Sequence, residues 1–433
     1  MFRLGRCAYE GRGCEKNHEE AAEWYRRAAQ KGSTEGTYYL GMCYEFGDGI
    51  ARDLARAAEL YRTAAEKGYA PAQNNLGGCL LFGNGVPKDE TAAVAWLQKA
   101  AKQREPNACY RLALCLRDGV GTAPDAERSL HLLETAGERR QPRALLLLAS
   151  YSETGRYGKA DYARAAKYYR KAAACGSAEG QYGIGMCYRT GRGVMRDAGT
   201  AFRWLCLAAN GGDRRAQYEV GECYRCGIGV VRDLCEAVRN YTLAADGEDG
   251  IAAADYRLGM CYLRGEGVLR DVETARALLQ HAVEKGNTDA MRVLGDCWFY
   301  GEMGRQDYSE AVVWYRMAAD RQNGDAMNAL GVCHEKGLGV RVNKTQAMQY
   351  YRASGKSGVT DGKYNCGRCY CYAIGTQRDY REARVQLLRA AHAGSVGAML
   401  LLGECFADGW GGPVDSRQAY VYYNMAAEAH PGA

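Results

Sequence analysis

The sequence contains few prolines, few phenylalanines and no long apolar segment. Only 7 of the 433 residues are proline and only 6 are phenylalanine, whereas glycine occurs 55 times and tyrosine 32 times. No stretch approaches the roughly 20 apolar residues that a membrane-spanning helix needs, and the N-terminal residues lack the apolar core of a secretory signal. We therefore expect a soluble chain without direct membrane insertion.

The charge is equally unremarkable for a soluble protein. The net charge is +6, and 25% of the residues are charged. Nucleic-acid binding requires Lys and Arg concentrated on one face, and a weak excess spread over this length does not supply that concentration. The composition predicts no DNA or RNA partner.

A glycine recurs with a period of 36 residues, apart from one step of 38. Alanine replaces it at positions 113 and 149. The glycines are Gly5, Gly41, Gly77, Gly185, Gly221, Gly259, Gly295, Gly331, Gly367 and Gly403. A cysteine follows two positions later in eleven copies, as Cys43 follows Gly41, so 11 of the 19 cysteines share one structural position. Such a period indicates an array of similar supersecondary units.

Each unit is predicted to contain two helices. The first begins after an N-cap residue, whose side chain accepts a hydrogen bond from an amide of the first turn. The predicted caps are Asn17, Asp53, Asp89, Asp125, Asp161, Asp197, Asp233, Asp271, Asp307, Asn343, Asp379 and Asp415. The second helix, such as residues 35 to 46, ends at a Gly-x-Gly pair, because glycine adopts the left-handed conformation that closes a helix. The recurrent glycine inside this helix indicates close approach of a neighbouring helix.

These boundaries predict one array over residues 1–433 without an internal domain boundary. It consists of a half repeat at 1–16, repeats that start near 17, 53, 89, 125, 161, 197, 233, 271, 307, 343 and 379, and a terminal half repeat at 415–433. Since both ends are half repeats without a polar cap, we expect the chain to be part of a longer protein.

The repeat A-x-x-WYRRAA-x-KG-x-x-x-G-x-YYLGMCYEFGDGIARD, starting at Ala21, resembles the Sel1-like repeat, a relative of the tetratricopeptide repeat. The resemblance covers nearly all of residues 3 to 429. It implies an all-α, right-handed superhelical solenoid of about twelve helix hairpins with a concave inner surface. It also implies a role in holding other proteins together.

Motifs with apparent chemistry are explained by the repeat. Neighbouring repeat cysteines should lie about 10 Å or more apart, beyond the span of a disulfide, so we interpret them as buried thiols of a reducing compartment, the cytoplasm. Cys223 with Cys226 and Cys366 with Cys369 form Cys-x-x-Cys pairs, but each contains a repeat cysteine. The Gly-x-Gly turns lack the Lys-Ser/Thr ending and the βαβ unit of a phosphate loop. We predict no catalytic, cofactor-binding or metal-binding residue.

The residues that vary between repeats are the remaining candidates. Positions two, five and nine after the leading alanine of the first helix share one face, and arginine recurs at the middle position. These candidate protein-binding residues are Arg26, Arg62, Arg170, Arg316 and Arg352. If the first helix lines the concave surface, as in tetratricopeptide arrays, this set could receive acidic segments of a protein partner. Solvated i,i+3 pairs such as Glu23 with Arg26 are the alternative interpretation.

The sequence thus predicts a non-catalytic adaptor or scaffold that binds protein segments along its concave face. The alternative is a targeting or regulatory region of a larger multidomain protein, such as a kinase, with its catalytic part outside this chain.

Overall fold

The computed structural model describes residues 1–247 and 250–429, and the described residues form 24 α-helices and no strand. The odd-numbered helices are α1 (Phe2–Glu10), α3 (Thr34–Phe46), α5 (Ala70–Phe82), α7 (Pro106–Asp118), α9 (Pro142–Thr154), α11 (Ala178–Thr190), α13 (Arg214–Cys226), α15 (Ala252–Arg264), α17 (Thr288–Tyr300), α19 (Gly324–Lys336), α21 (Thr360–Tyr372) and α23 (Val396–Ala407). The even-numbered helices are α2 (His18–Gln30), α4 (Leu54–Glu66), α6 (Glu90–Lys102), α8 (Ala126–Glu138), α10 (Tyr162–Ala174), α12 (Ala198–Asn210), α14 (Leu234–Ala245), α16 (Val272–Glu284), α18 (Tyr308–Asp320), α20 (Lys344–Lys356), α22 (Tyr380–His392) and α24 (Ser416–Ala429).

The chain divides into two compact units. Unit 1 comprises Met1–Ala216 with Ile228–Val230, and unit 2 comprises Gln217–Gly227 with Val231–Ala433. Within each unit, successive helices pack against one another in chain order, which confirms the predicted all-α solenoid of helix hairpins. The prediction of one array without an internal boundary stays a prediction. No described helix combines the length and the apolar character that crossing a bilayer requires.

The even-numbered helices begin at the predicted caps. Asp53 adopts an extended conformation, and its carboxylate accepts a hydrogen bond of 2.9 Å from the amide of Arg56. The other eleven predicted Asp and Asn residues accept equivalent amide hydrogen bonds. Each cap satisfies a first-turn donor that would otherwise have no partner, so the aspartate sets the start of the helix.

Most odd-numbered helices end at the predicted glycines, whereas α21 ends at Ala373, which has a φ of 56°, and α23 ends at Asp408. Gly47 has a φ of 80°, and the amides of Gly47 and Asp48 both donate to the carbonyl oxygen of Cys43. Gly49 has a φ of 71°, and a Cβ added there would overlap the backbone of His18 at the start of α2. The second glycine of the turn is therefore needed both for its conformation and for contact with the preceding even-numbered helix.

This backbone contact recurs at most turns but not at all of them. The glycines that make it are Gly49, Gly85, Gly121, Gly193, Gly229, Gly267, Gly339, Gly375 and Gly411. In the turns after α9 and α17, the second glycine comes one residue later. A Cβ added to either of these glycines, Gly158 and Gly304, would meet no atom within 4 Å. These two turns lack the glycine-to-backbone joint.

The recurrent glycine inside the odd-numbered helices lies against the next even-numbered helix, as predicted. A Cβ on Gly41 would lie 2.9 Å from Cε1 of Tyr61, and a Cβ on Gly77 would lie 2.8 Å from Cγ of Leu97. The repeat cysteines fill the core beside this contact, and ten of the eleven are buried. Cys7 in α1 is half-buried. Burial raises the pKa of Cys43 to about 12, so this thiol is held protonated.

Candidate functional site

A pocket of unit 1 is lined by residues of α9, α10 and α11. Its volume is about 510 Å³. The walls are formed by Leu146 and Glu153 of α9, Tyr169 of α10, and Tyr182, Gly183 and Met186 of α11. The pocket combines aromatic and aliphatic walls with a carboxylate, which is a common composition of a binding site for a flexible side chain.

Two small sequence changes create this pocket. In the other repeats with a tyrosine at the core position, the ring packs on the recurrent glycine, as Tyr351 packs on Gly331. Alanine replaces that glycine at position 149, and the corresponding Tyr169 is only half-buried. The ring of Tyr169 instead lies where a Cβ on Gly183 would be, 2.5 Å from Cδ1. Gly183 therefore leaves the space that accommodates the displaced ring.

The carboxylate of the pocket belongs to a recurring hydrogen-bonded pair. Tyr169 Oη donates to Glu153 Oε2 at 3.0 Å. Burial and the Glu153 carboxylate raise the pKa of Tyr169, so the phenol remains a donor. Comparable carboxylate–tyrosine pairs are Glu45 with Tyr61, Glu222 with Tyr241, Asp296 with Tyr315 and Glu335 with Tyr351. Each pair connects an odd-numbered helix to the next even-numbered helix.

The rim of the pocket carries charges of both signs. Arg215 lies over the ring of Tyr182, with 4.6 Å between the guanidinium carbon and the ring centroid. Its Nη2 also donates to Asp213 Oδ2 at 2.7 Å. Glu179 and Arg192 complete the rim. Because Arg215 is already engaged by Asp213 and Tyr182, it stiffens the wall of the pocket.

The predicted arginines lie on even-numbered helices and do not converge on one site. Arg26 donates to Glu23 at 2.5 Å. This is the solvated i,i+3 pair that the sequence analysis gives as the alternative interpretation. Arg170 donates to the hydroxyl of Tyr188 at 2.9 Å. Arg352 makes the same contact with the hydroxyl of Tyr370 at 2.8 Å.

Arg62 and Arg316 are exposed, and neither has a hydrogen-bond or ion-pair partner within the described part of the chain. Arg352 also lines a cavity of about 180 Å³ together with Lys356 and Arg389. The five arginines are therefore in three kinds of local environment, and Arg352 also borders a cavity.

Two buried thiols of unit 2, those of Cys371 and Cys405, are in contact, with 3.9 Å between their sulfur atoms. Cys366 and Cys369 are both buried, and burial raises the pKa of Cys369 to about 12. No group of three His, Cys, Asp or Glu side chains within residues 1–247 and 250–429 comes together as a metal site.

The sequence analysis does not predict the pocket at Glu153; it shows only that alanine replaces the recurrent glycine at position 149. A signal was nevertheless present: Ala149 departs from the recurrent glycine, and Gly183 is an additional glycine in the next odd-numbered helix. Both positions become informative once Tyr169 is known to lie between them.

The Sel1 repeat model matches the chain in twelve consecutive segments. The matched residues are 1–33, 34–69, 70–104, 106–140, 142–177, 178–213, 214–249, 252–287, 288–323, 324–359, 360–395 and 396–430. Each segment contains an odd-numbered helix followed by an even-numbered helix. The sequence analysis divided the same period one helix later, between the two helices of these segments.

Two solved structures are similar over most of the chain. One is c5321, a protective antigen present in uropathogenic Escherichia coli strains that displays an SLR fold; it has 27% sequence identity and a TM-score of 0.78, and the alignment covers 94% of this chain and 86% of that chain. The other is a Sel1 repeat protein from Oxalobacter formigenes, with 31% identity and a TM-score of 0.51 over 71% of this chain and 89% of that chain. No curated relative matches the chain. Because the family matches follow one another from residue 1 to residue 430, this chain belongs to the Sel1 repeat family.

Proposed function

We propose that this chain is a non-catalytic adaptor that binds protein segments along the exposed face of its odd-numbered helices. Sel1 repeat proteins are typically protein-interaction scaffolds. The observation that carries the proposal is the pocket of unit 1, which opens on this face and presents side chains that differ from one repeat to the next. Variable side chains on a constant helical frame are the usual basis of partner recognition by repeat proteins.

The packing within each unit supports this choice of face. In unit 1, α5 approaches α7 and α9 approaches α11; in unit 2, α19 approaches α21 and α21 approaches α23. Consecutive even-numbered helices of one unit do not approach to the same extent among the described residues. When hairpins stack with curvature, the helices on the inner side are the closer ones. The odd-numbered helices are therefore the better candidates for the concave layer.

The proposal is tested by binding measurements with paired methionine variants. Partners captured by the full chain are purified, and their affinities are measured for wild type, Met186→Ala and Met195→Ala. Met186 lines the pocket, whereas Met195 is 88% exposed in a turn and serves as the matched control. We expect Met186→Ala to weaken binding about tenfold, since an interface anchor contributes about 1–2 kcal/mol or more. Equal affinities for all three proteins would refute a role of this face.

A second binding surface is supported by the cavity at Arg352. Arg352, Lys356 and Arg389 line this cavity of about 180 Å³ together with Glu382, and this excess of basic groups is complementary to an acidic segment. Arg316 lies in the same unit and would extend the contacts along its even-numbered helices, whereas Arg26, Arg62 and Arg170 belong to unit 1. The test is the same capture with all five arginines changed to glutamate. Unchanged recovery of partners would exclude this surface.

A further inference from the structure

One repeat of unit 2 shows how the carboxylate–tyrosine pair is completed by an arginine. Tyr351 Oη donates to Glu335 Oε2 at 2.7 Å. Arg368 of the following odd-numbered helix donates through Nη1 and Nη2 to both oxygens of Glu335, at 2.9 Å and 2.6 Å. Only 14% of the Glu335 side chain is exposed. Burial alone would raise the pKa of Glu335, but the hydrogen bonds from Arg368 and Tyr351 outweigh it and lower the pKa.

The pocket of unit 1 has the same pair without its arginine. Glu153 and Tyr169 are 16 residues apart, as are Glu335 and Tyr351, and the residue equivalent to Arg368 is Met186. Glu153 has no ion-pair partner within residues 1–247 and 250–429. Its carboxylate borders a pocket of about 510 Å³. At the equivalent place in unit 2, the guanidinium group of Arg368 lies against Glu335.

We propose that this pocket binds the side chain of an arginine in a partner protein segment, with the guanidinium group on Glu153. The inference rests on the proposed function of this face and assigns the partner a basic anchor residue. Glu153 accepts the two N–H groups as Glu335 does, while its bond from Tyr169 keeps the carboxylate in place. Leu146 and Met186 contact the methylene groups of the arginine, and the tyrosine rings of the wall offer faces on which a planar guanidinium can stack.

The charges around the pocket are compatible with a cationic ligand. Arg215 is paired with Asp213 at 2.7 Å, which neutralises one of the two basic groups of the rim. The surroundings contain the three carboxylates of Glu153, Glu179 and Asp213. They contain two basic groups, Arg192 and Arg215, so the carboxylates are in excess by one. An arginine is favoured over a lysine, because the recorded contact in unit 2 is bidentate and a compact ammonium group cannot reproduce it.

The first test uses N-acetyl-arginine methylamide as the probe and the full chain labelled with 13C at its methionine methyl groups. Titration should shift the methyl resonance of Met186 and reach saturation in the millimolar range, as expected for one anchor residue without the rest of its segment. The corresponding citrulline compound has nearly the same shape but no charge, and it should bind at least tenfold more weakly. Equal shifts with both compounds would overturn the proposal, and equal shifts with the lysine compound would overturn the preference for a guanidinium group.

Variants assign the effect to Glu153. With saturation transfer from protein to probe as the readout, Glu153→Gln should weaken binding at least tenfold. The matched control is Glu335→Gln, which changes the equivalent carboxylate that Arg368 already occupies. Wild-type binding by Glu153→Gln, or the same loss in Glu335→Gln, would contradict the assignment.

A third variant fills the pocket from within. Met186→Arg introduces the residue found at the equivalent position 368, and it should abolish probe binding, whereas Met186→Gln should retain at least part of it. Probe binding by Met186→Arg at wild-type affinity would refute the proposal even if Glu153→Gln failed to fold. If Met186→Ala loses partner binding but the wild-type chain does not bind the arginine probe, this inference is rejected. The adaptor function would still be supported by that result.

Discussion

Substitution of Gly331 by alanine tests why a glycine recurs inside the odd-numbered helices. A Cβ at this position would lie 2.5 Å from Cε1 and 2.6 Å from Cδ1 of Tyr351. Tyr351 is completely buried, and its hydroxyl donates to Glu335 at 2.7 Å. The ring therefore has to move, and its movement disturbs a buried hydrogen bond to a charged group.

The expected net effect is a loss of up to about 3.5 kcal/mol in the free energy of local unfolding. Overpacking of a filled core costs about 1–3 kcal/mol, and weakening a hydrogen bond to a charged group adds up to about 1.5 kcal/mol. The higher helix propensity of alanine offsets about 1 kcal/mol of this cost. If the glycine had no packing role, the same substitution would stabilise α19 by about 1 kcal/mol.

Amide hydrogen exchange measured by mass spectrometry is the appropriate assay, because repeat arrays open locally and a single unfolding transition cannot be assumed. Gly331→Ala should accelerate exchange in α19 and α20. Gly199→Ala in α12 is the matched control, since a Cβ there would meet only a carboxylate oxygen of Asp197 at 3.6 Å.

The compensating variant is Gly331→Ala with Tyr351→Leu. The chain already contains this combination as Ala113 with Leu133, and both of these residues are buried. The second substitution should restore part of the lost protection. Slower exchange in Gly331→Ala than in wild type would refute the close-packing explanation of the recurrent glycine.

Three further predictions concern helix starts, a half-buried histidine and the thiols. Asp89→Ala should destabilise α6 by about 1 kcal/mol, measured by hydrogen exchange, because the amide of Ala92 loses its acceptor. Burial and the charge of Arg316 lower the pKa of His334. The unfolded chain therefore binds the proton more tightly, so thermal stability should fall as the pH drops below about 6.5, and His334→Gln should reduce this dependence. In the native protein a thiol reagent should react first with the exposed cysteines, which are Cys14, Cys226 and Cys235.

Each of these predictions has a control or a contradicting result. Asp89→Asn keeps a side-chain acceptor and should retain most of the stability of α6. For the pH effect, the control is His392→Gln, at an exposed residue of the same unit. An equal decrease in pH dependence in both variants would show that burial of His334 is not the cause. For the thiols, labelling of Cys333 as fast as Cys14 would contradict the packing described for the repeat cysteine.

The sequence predicts most of the fold because the same residues start and end the helices of each repeat through the same local interactions. Asp53 and its equivalents start helices by an interaction within one turn, and Gly47 ends a helix through its own backbone conformation. The glycine-to-tyrosine contact between helices was also predictable, since repetition of a costly glycine such as Gly41 implies a common neighbour. Local chemistry and periodicity are sufficient for these features.

The candidate site depends on differences between repeats, which periodicity does not reveal. The pocket requires Ala149, Tyr169 and Gly183 on three successive helices, and each substitution alone is unremarkable. The pair of Glu153 with Tyr169 joins residues 16 positions apart through tertiary packing. The arginines were found because they recur, but recurrence alone does not show whether side chains meet at a site.

The turns after α9 and α17 have a mechanical consequence. At the other joints, the second glycine of the turn contacts the backbone of the preceding even-numbered helix. Because no side chain lies between the two backbones, no change of rotamer can accommodate sliding of one hairpin over the preceding one. Gly158 and Gly304 make no such contact, so these joints lack this restraint. We expect each unit to bend most easily at its own unrestrained joint. In unit 1 that joint connects the turn after α9 to the preceding hairpin, whereas the pocket lies between α9 and α11, where Gly193 contacts the backbone of Tyr162. Bending at Gly158 should therefore leave the width of the pocket unchanged.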